Sequence, residues 1–218
     1  NPFMTDAMNW PTGVGTMNNT TLVLPSLVLY PITWLSGSLA TLNTLNILSV
    51  PACIAAAFWA LRQPDITGVL HLRSQTVDGD EAPPRMRVPA ALAGAAAFGI
   101  SPAIVNSLVG HVTMSFAPAL PILVVLAVRC WSSARPVRAG LWLGLVAVLQ
   151  VFTGEEVLFQ AGVAALLVLL VAAASRPREI AAGAARLVRT LGIALLVFLP
   201  IAGYPLLVQF FGPLAHHG

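Results

Sequence analysis

The chain contains no lysine, and only 9% of its 218 residues are charged. A soluble domain carries roughly 25% charged residues. So little charge, set against 57% hydrophobic residues, leaves too little polar surface to coat a water-soluble fold. Cysteine is nearly absent as well. Cys53 and Cys130 stand in different apolar segments and form neither a CxxC pair nor a disulfide framework. There is no glycine-rich phosphate loop, no Ser-His-Asp set, no nucleophile elbow and no internal repeat. The net charge of +3 does not point to nucleic acid, because the cations form no stripe and no basic helix. The chain opens at Asn1 without a basic leader, and it reads as a piece of a longer protein that has at least one earlier span. Abundant Ala, Leu, Val and Arg with no Lys fits a GC-rich bacterial source.

What charge there is has a strict order. All eleven basic residues are arginines, and they fall in three segments, residues 62–87, 129–138 and 176–189. Basic residues near span ends are retained on the cytoplasmic side of a membrane. The three clusters therefore mark one face. The opposite face has no basic residue but carries Asp6, Glu155 and Glu156.

A helix needs about 20 apolar residues to cross the hydrocarbon core, and about 17–25 are tolerated. The apolar runs predict spans over residues 42–61, 88–106, 112–128, 139–153, 157–174 and 190–211. The expected fold is all-α, a polytopic transmembrane helical bundle. Residues 20–36 are also apolar, but Pro25 and Pro31 interrupt them, so they are either a further full span, which puts residues 1–19 on the arginine face, or a juxtamembrane re-entrant or interfacial segment. With that segment uncrossed, residues 1–19 form an outer loop and all three arginine clusters lie inside. Gly and Ala run through residues 90–99 and 161–174, which predicts close packing against other helices there. Residues 178–189 are amphipathic, with Ile180, Ala184 and Leu187 opposite Arg178 and Arg186, and are expected along the inner interface.

The candidate chemistry gathers on the outer face. Asp6 in the Pro- and Asx-rich N-terminal loop is either a general base or cation ligand, or the cap of a short surface helix. Glu155 and Glu156 are either a plain acidic hairpin turn or a functional site. A charge at mid-bilayer costs roughly 2.5–3.5 kcal/mol on insertion scales, so acids there belong in a wet cavity or at a surface. His111 follows a stretch that resists a straight helix, Gly99-Ile100-Ser101-Pro102 and then Gly110. It is either a hydrogen-bonded structural histidine or part of the outer site. His216 and His217 have no metal-ligand spacing, and His71 belongs to the inner loop.

The order of these elements resembles the GT-C superfamily of multispanning glycosyltransferases. The residues that carry the resemblance begin with Asn1-Pro2-Phe3, Thr5-Asp6, Asn9-Trp10-Pro11 and Met17-Asn18-Asn19-Thr20. They continue through the proline-broken 22–35 stretch, Leu61-Arg62, Ser101-Pro102, Gly110-His111 and Gly154-Glu155-Glu156. Tyr204-Pro205 and Gln209-Phe210-Phe211-Gly212-Pro213 complete the set. The resemblance implies transfer of a sugar, hexosyl or pentosyl, from a polyprenyl-phosphate carrier to an acceptor on the outer face of a bacterial cytoplasmic membrane. It implies Asp6, Glu155 and Glu156 as catalytic residues, and Asn9, Trp10, Asn18 and His111 as substrate-binding residues. The implied partners are the lipid-linked donor and membrane lipids, with no nucleic acid. This sequence has no basic residue on the outer face to meet the donor phosphate. A divalent cation, Mg or Mn, held by the acids would supply that charge. The competing reading is a transporter or flippase with an outward-facing acidic site, motivated by the broken 101–111 stretch.

Overall fold

A computed structural model describes residues 4–5, 14–15, 22–70, 86–132 and 135–211. The fold is all-α. Nine helices are described: α1 (Val23–Val28), α2 (Tyr30–Leu61), α3 (Pro64–Leu70), α4 (Val88–Gly99), α5 (Pro102–Ser107), α6 (Val112–Ser115), α7 (Ala119–Ser132), α8 (Pro136–Ser175) and α9 (Pro177–Phe211). A two-residue antiparallel ribbon, β1 (Met4–Thr5) with β2 (Val14–Gly15), is the other regular structure among the described residues. Four helical stretches are long and apolar enough to cross a membrane: Tyr30–Leu61, Val88–Ser107, Pro136–Ser175 and Pro177–Phe211. The chain is thus of the multi-pass membrane class. Leu167, Val168, Val171 and Leu196 are each more than half exposed, an apolar surface that only lipid satisfies.

Proline sets where helices begin. Pro64, Pro102, Pro136 and Pro177 each open a helix, where the missing N–H removes nothing. Pro118 stands just ahead of α7 in the same way, and it explains one difference from the apolar pattern. Residues 112–128 read as a single crossing, but the backbone is helical only over Val112–Ser115 and again from Ala119. Between them Phe116 leaves the helical region, at φ −85° and ψ 73°.

The helix directions follow from contacts. Gly94 packs on Leu61 and Gly99 on Ile54, so α2 and α4 are antiparallel. Gly140 lies against Thr190 and Ile193, and Gly144 against Ala194 and Val197, so the first part of α8 runs parallel to α9. Further along, Glu155 meets Gln209. Residue 176 is bonded to 177, at the far end of α9, some 32 residues or about 48 Å of helix from Gln209. Residues 155–175 must therefore return along α9 in the opposite sense. Gly154, whose φ/ψ are non-helical, is the reversal that splits α8 into two arms.

Three hydrogen bonds gather the arginine segments. Arg62 donates to Met86 O at 3.1 Å, Arg129 Nε to Asp65 Oδ2 at 2.9 Å, and Arg186 to Trp131 O at 3.1 Å. These bonds tie the three basic segments together at one end of the bundle. Gly154 lies at the other end, because the 16 residues from Arg138 to Gly154 rise about 24 Å.

Packing uses small residues where backbones meet. Ala91 and Ala95 are fully buried and Gly99 sits under Ile54, as the 90–99 stretch predicts. The 161–174 stretch differs from its expectation. Val163, Leu166, Leu167, Val168, Leu170 and Val171 are exposed. Its Ala and Gly residues are interleaved with Leu and Val on every side, which leaves no smooth groove for a neighbour. The close approach falls instead on Gly140 and Gly144, a Gly-xxx-Gly pair that lets two parallel helices touch backbone to backbone.

The segment before the first long span is bent, not extended through it. At Gly37 φ is +83°, a left-handed backbone that glycine adopts without strain. The bend brings Thr33 Oγ1 within 2.7 Å of Thr41 Oγ1, although eight residues of straight helix would hold them about 12 Å apart. Leu27, Val28, Tyr30, Trp34 and Leu35 are strongly exposed, an apolar surface suited to lipid. The amphipathic 178–189 stretch is continuous with the last span as one helix, α9. Gly183 packs on the Trp131 ring.

Candidate functional site

Four helices bring polar side chains together on the side of the bundle away from the arginines. From α2, Ser49 is fully buried and its Oγ lies 3.4 Å from Ser115 Oγ in α6. Cys53, one turn further, donates to Ser115 O at 3.6 Å. α6 is short, yet it is wedged at the reversal of α8. A β-carbon on Gly154 would stand 2.7 Å from Thr113 O, so only glycine admits that carbonyl. Gln150 is 0% exposed, and its Nε2 donates to Gly154 O at 2.9 Å. Glu155 then follows, half-buried, with Gln209 Nε2 of α9 at 3.4 Å from its Oε1. The result is a polar track from mid-span Ser49 through Ser115 and Thr113 to Gln150, Glu155 and Gln209.

Buried polar groups inside a membrane are costly unless paired, and the track is only partly paired. The side-chain carbonyl oxygens of Asn46, Gln150 and Gln209 are buried and have no hydrogen-bond partner among the described residues. Asn46 is one turn before Ser49 on α2, on the same face.

The sequence candidates divide in three. Glu155 is in the track. Glu156 is its half-buried neighbour, and successive helical residues point about 100° apart, so the two carboxylates do not share one direction. His111 is exposed and opens α6; its carbonyl accepts from Met114 N at 2.9 Å and Ser115 N at 3.2 Å. Gly110, at φ +99°, turns the chain into it. His111 thus stands two residues from Thr113, on the element that touches Gly154. Asp6, Asn9, Trp10 and Asn18 lie outside the described residues. Among the described residues no three His, Cys, Asp or Glu side chains group to hold a metal ion.

Sequence reasoning missed Gln150, Ser49, Ser115 and Asn46, and gave Gln209 no role. The signal was available for the amides, since an Asn or Gln inside a 20-residue apolar run is expensive and marks a helix contact or a site. For the serines there was none, because serine also packs as a small residue. No family model, no curated protein and no solved structure matches this chain.

Proposed function

We propose that the chain is the membrane part of a glycosyltransferase that moves a sugar from a polyprenyl-phosphate carrier to an acceptor on the outer face of the cytoplasmic membrane. The observation that carries this reading is the junction at Gly154. A half-buried carboxylate, Glu155, meets Gln209 there beside the buried amide of Gln150, at the end remote from the described arginine contacts. That is the chemistry a sugar hydroxyl needs, a carboxylate to accept its proton and amides to orient its neighbours.

The reaction is a direct displacement. The acceptor oxygen forms a bond to the sugar's anomeric carbon as the bond from that carbon to the carrier phosphate breaks. The phosphate keeps the electron pair, and a carboxylate takes the acceptor proton. Asp6 of the N-terminal loop is the carboxylate that the family resemblance favours, and Glu155 and Glu156 at the reversal of α8 are the other carboxylates in this reading. Asn9, Trp10, Asn18 and His111 are the substrate-binding residues in this reading.

The test supplies a radiolabelled polyprenyl-phosphate sugar to the full chain in proteoliposomes and follows the label. Label in a covalent glycoside supports the reading. The transporter reading is favoured by the unpartnered carbonyl oxygens of Asn46, Gln150 and Gln209, which resemble a polar pathway through the bundle. Under that reading the label crosses the bilayer without change of chemical form.

A further inference from the structure

At the arginine-bearing end a cavity of about 340 Å³ opens between α7 and the start of α8. Its wall is Leu126 and Arg129 from α7, with Arg135, Arg138, Ala139 and Trp142 from the start of α8. On α8 Arg138, Ala139 and Trp142 fall on one stripe of the helix, and Arg135 stands just before its first residue. Leu126 and Arg129 are three apart. Three arginines thus line one space, and no acid is among the described residues of its wall.

The electrostatics of that space are incomplete. Arg129 is paired with Asp65 and also donates to Gln63 Oε1 at 3.0 Å. Arg138 is in no ion pair among the described residues. α8 starts at the same place without a side-chain cap and without an acid in its first turn. A helix N-terminus carries about half a positive charge, and it adds to the arginines. Arg138 and that helix end therefore leave positive charge at the space, which an anion there offsets. The volume falls in the ordinary range for a bound small molecule, about 300–1,000 Å³.

The rest of the wall selects the kind of anion. Trp142 is half-exposed, and a tryptophan at span ends settles at head-group depth. Beside it Val124, Leu141 and Leu145 present exposed apolar surface along the same two helices. Arginine pairs with phosphate oxygens two at a time, and basic pockets between membrane helices hold lipid phosphates. We infer that this cavity is a binding site for a phosphate-bearing anion, held by Arg129, Arg135 and Arg138 at the N-terminus of α8. It is separate from the Gly154 site, from which it stands about 24 Å along α8.

The experiment measures binding to the full chain in detergent by native mass spectrometry. Phosphatidylglycerol, phosphatidylcholine and inorganic phosphate are offered separately, to wild type and to Arg138→Gln, Arg138→Lys and Arg178→Gln. Retention of phosphatidylglycerol over phosphatidylcholine, weakened about fivefold by Arg138→Gln, is expected. Arg138→Lys should keep most of the binding, and Arg178→Gln, outside the cavity wall, should keep all of it. Inorganic phosphate bound with the same dependence on Arg138 also supports the site and makes its source a soluble anion. Equal retention of both lipids with no phosphate bound overturns the inference. So does equal loss in Arg138→Gln and Arg178→Gln.

Discussion

Glu155 Oε1 accepts from Gln209 Nε2 at 3.4 Å, across the junction of α8 with α9. The two residues are far apart in sequence, and the contact exists because α9 runs parallel to the first arm of α8. If Glu155 takes part in sugar transfer, Glu155→Gln keeps the shape and removes the base. Turnover should fall by about 10²–10⁴-fold in the radiolabel assay, the range for loss of a general base. Gln209→Leu should cost less, because it removes an orienting amide and not the base. Full activity in Glu155→Gln would leave Asp6 as the carboxylate to test next.

The Gly-xxx-Gly contact makes a sharper statement about stability. A β-carbon on Gly144 would stand 2.6 Å from Ala194 O, and one on Gly140 2.6 Å from Thr190 O. Those neighbours are backbone and do not step aside. Gly144→Leu should destabilise by about 1–3 kcal/mol, as overpacking does. For a chain of this size that is a loss of about 2–4 °C in Tm per kcal/mol. Gly162→Leu is the control, with nothing within 4 Å of its β-carbon, and should stay within about 0.5 kcal/mol of wild type. Thermal unfolding in detergent compares the two.

A third expectation concerns Arg129, which holds the start of α3 with two donors, Nε to Asp65 in α3 and Nη2 to Gln63 just before it. The side chains of Arg129 and Asp65 are 33% and 25% exposed, so solvent screens part of the attraction. The coupling between them should be about 1 kcal/mol, between an exposed pair and a dry one. A double-mutant cycle with Arg129→Ala and Asp65→Ala measures it. A coupling near zero would mean that Gln63 and packing alone hold α3 to α7.

The helical fold was legible because lipid demands it. Long apolar runs with arginine at their ends leave little but spanning helices. Most of the differences arose where local backbone chemistry overrides apolar length. Pro118 cuts the 112–128 run, Gly37 bends the chain within Tyr30–Leu61, and the small residues that matter for packing are Gly140 and Gly144. The candidate site was legible only through its charges. Glu155 was visible as an acid without a local base. Gln150 stood in the sequence as an amide inside an apolar run, but Ser49 became visible only once the other helices were arranged around it, since serine also packs as a small residue. Parallel pairing of α8 with α9 is a long-range relationship that periodicity along one helix does not contain.

Sidedness is the remaining expectation, and the buried cysteines make it accessible. Cys53 and Cys130 are 0% and 1% exposed, so a membrane-impermeant maleimide should find no native target among them. Glu155→Cys and Arg138→Cys then report opposite ends of one helical arm, about 25 Å apart. Arginine is held back on the side where the chain is made, because moving it through the bilayer is costly and the membrane potential opposes it. Glu155→Cys should therefore react on intact cells, and Arg138→Cys only after the membrane is opened. Glu156→Cys, next along the chain, guards against a shielded thiol at 155. The reverse pattern would put the Gly154 junction on the cytoplasmic side. An outer-face transfer would then have no access to Glu155, and the phosphate-binding cavity would face the outer leaflet instead.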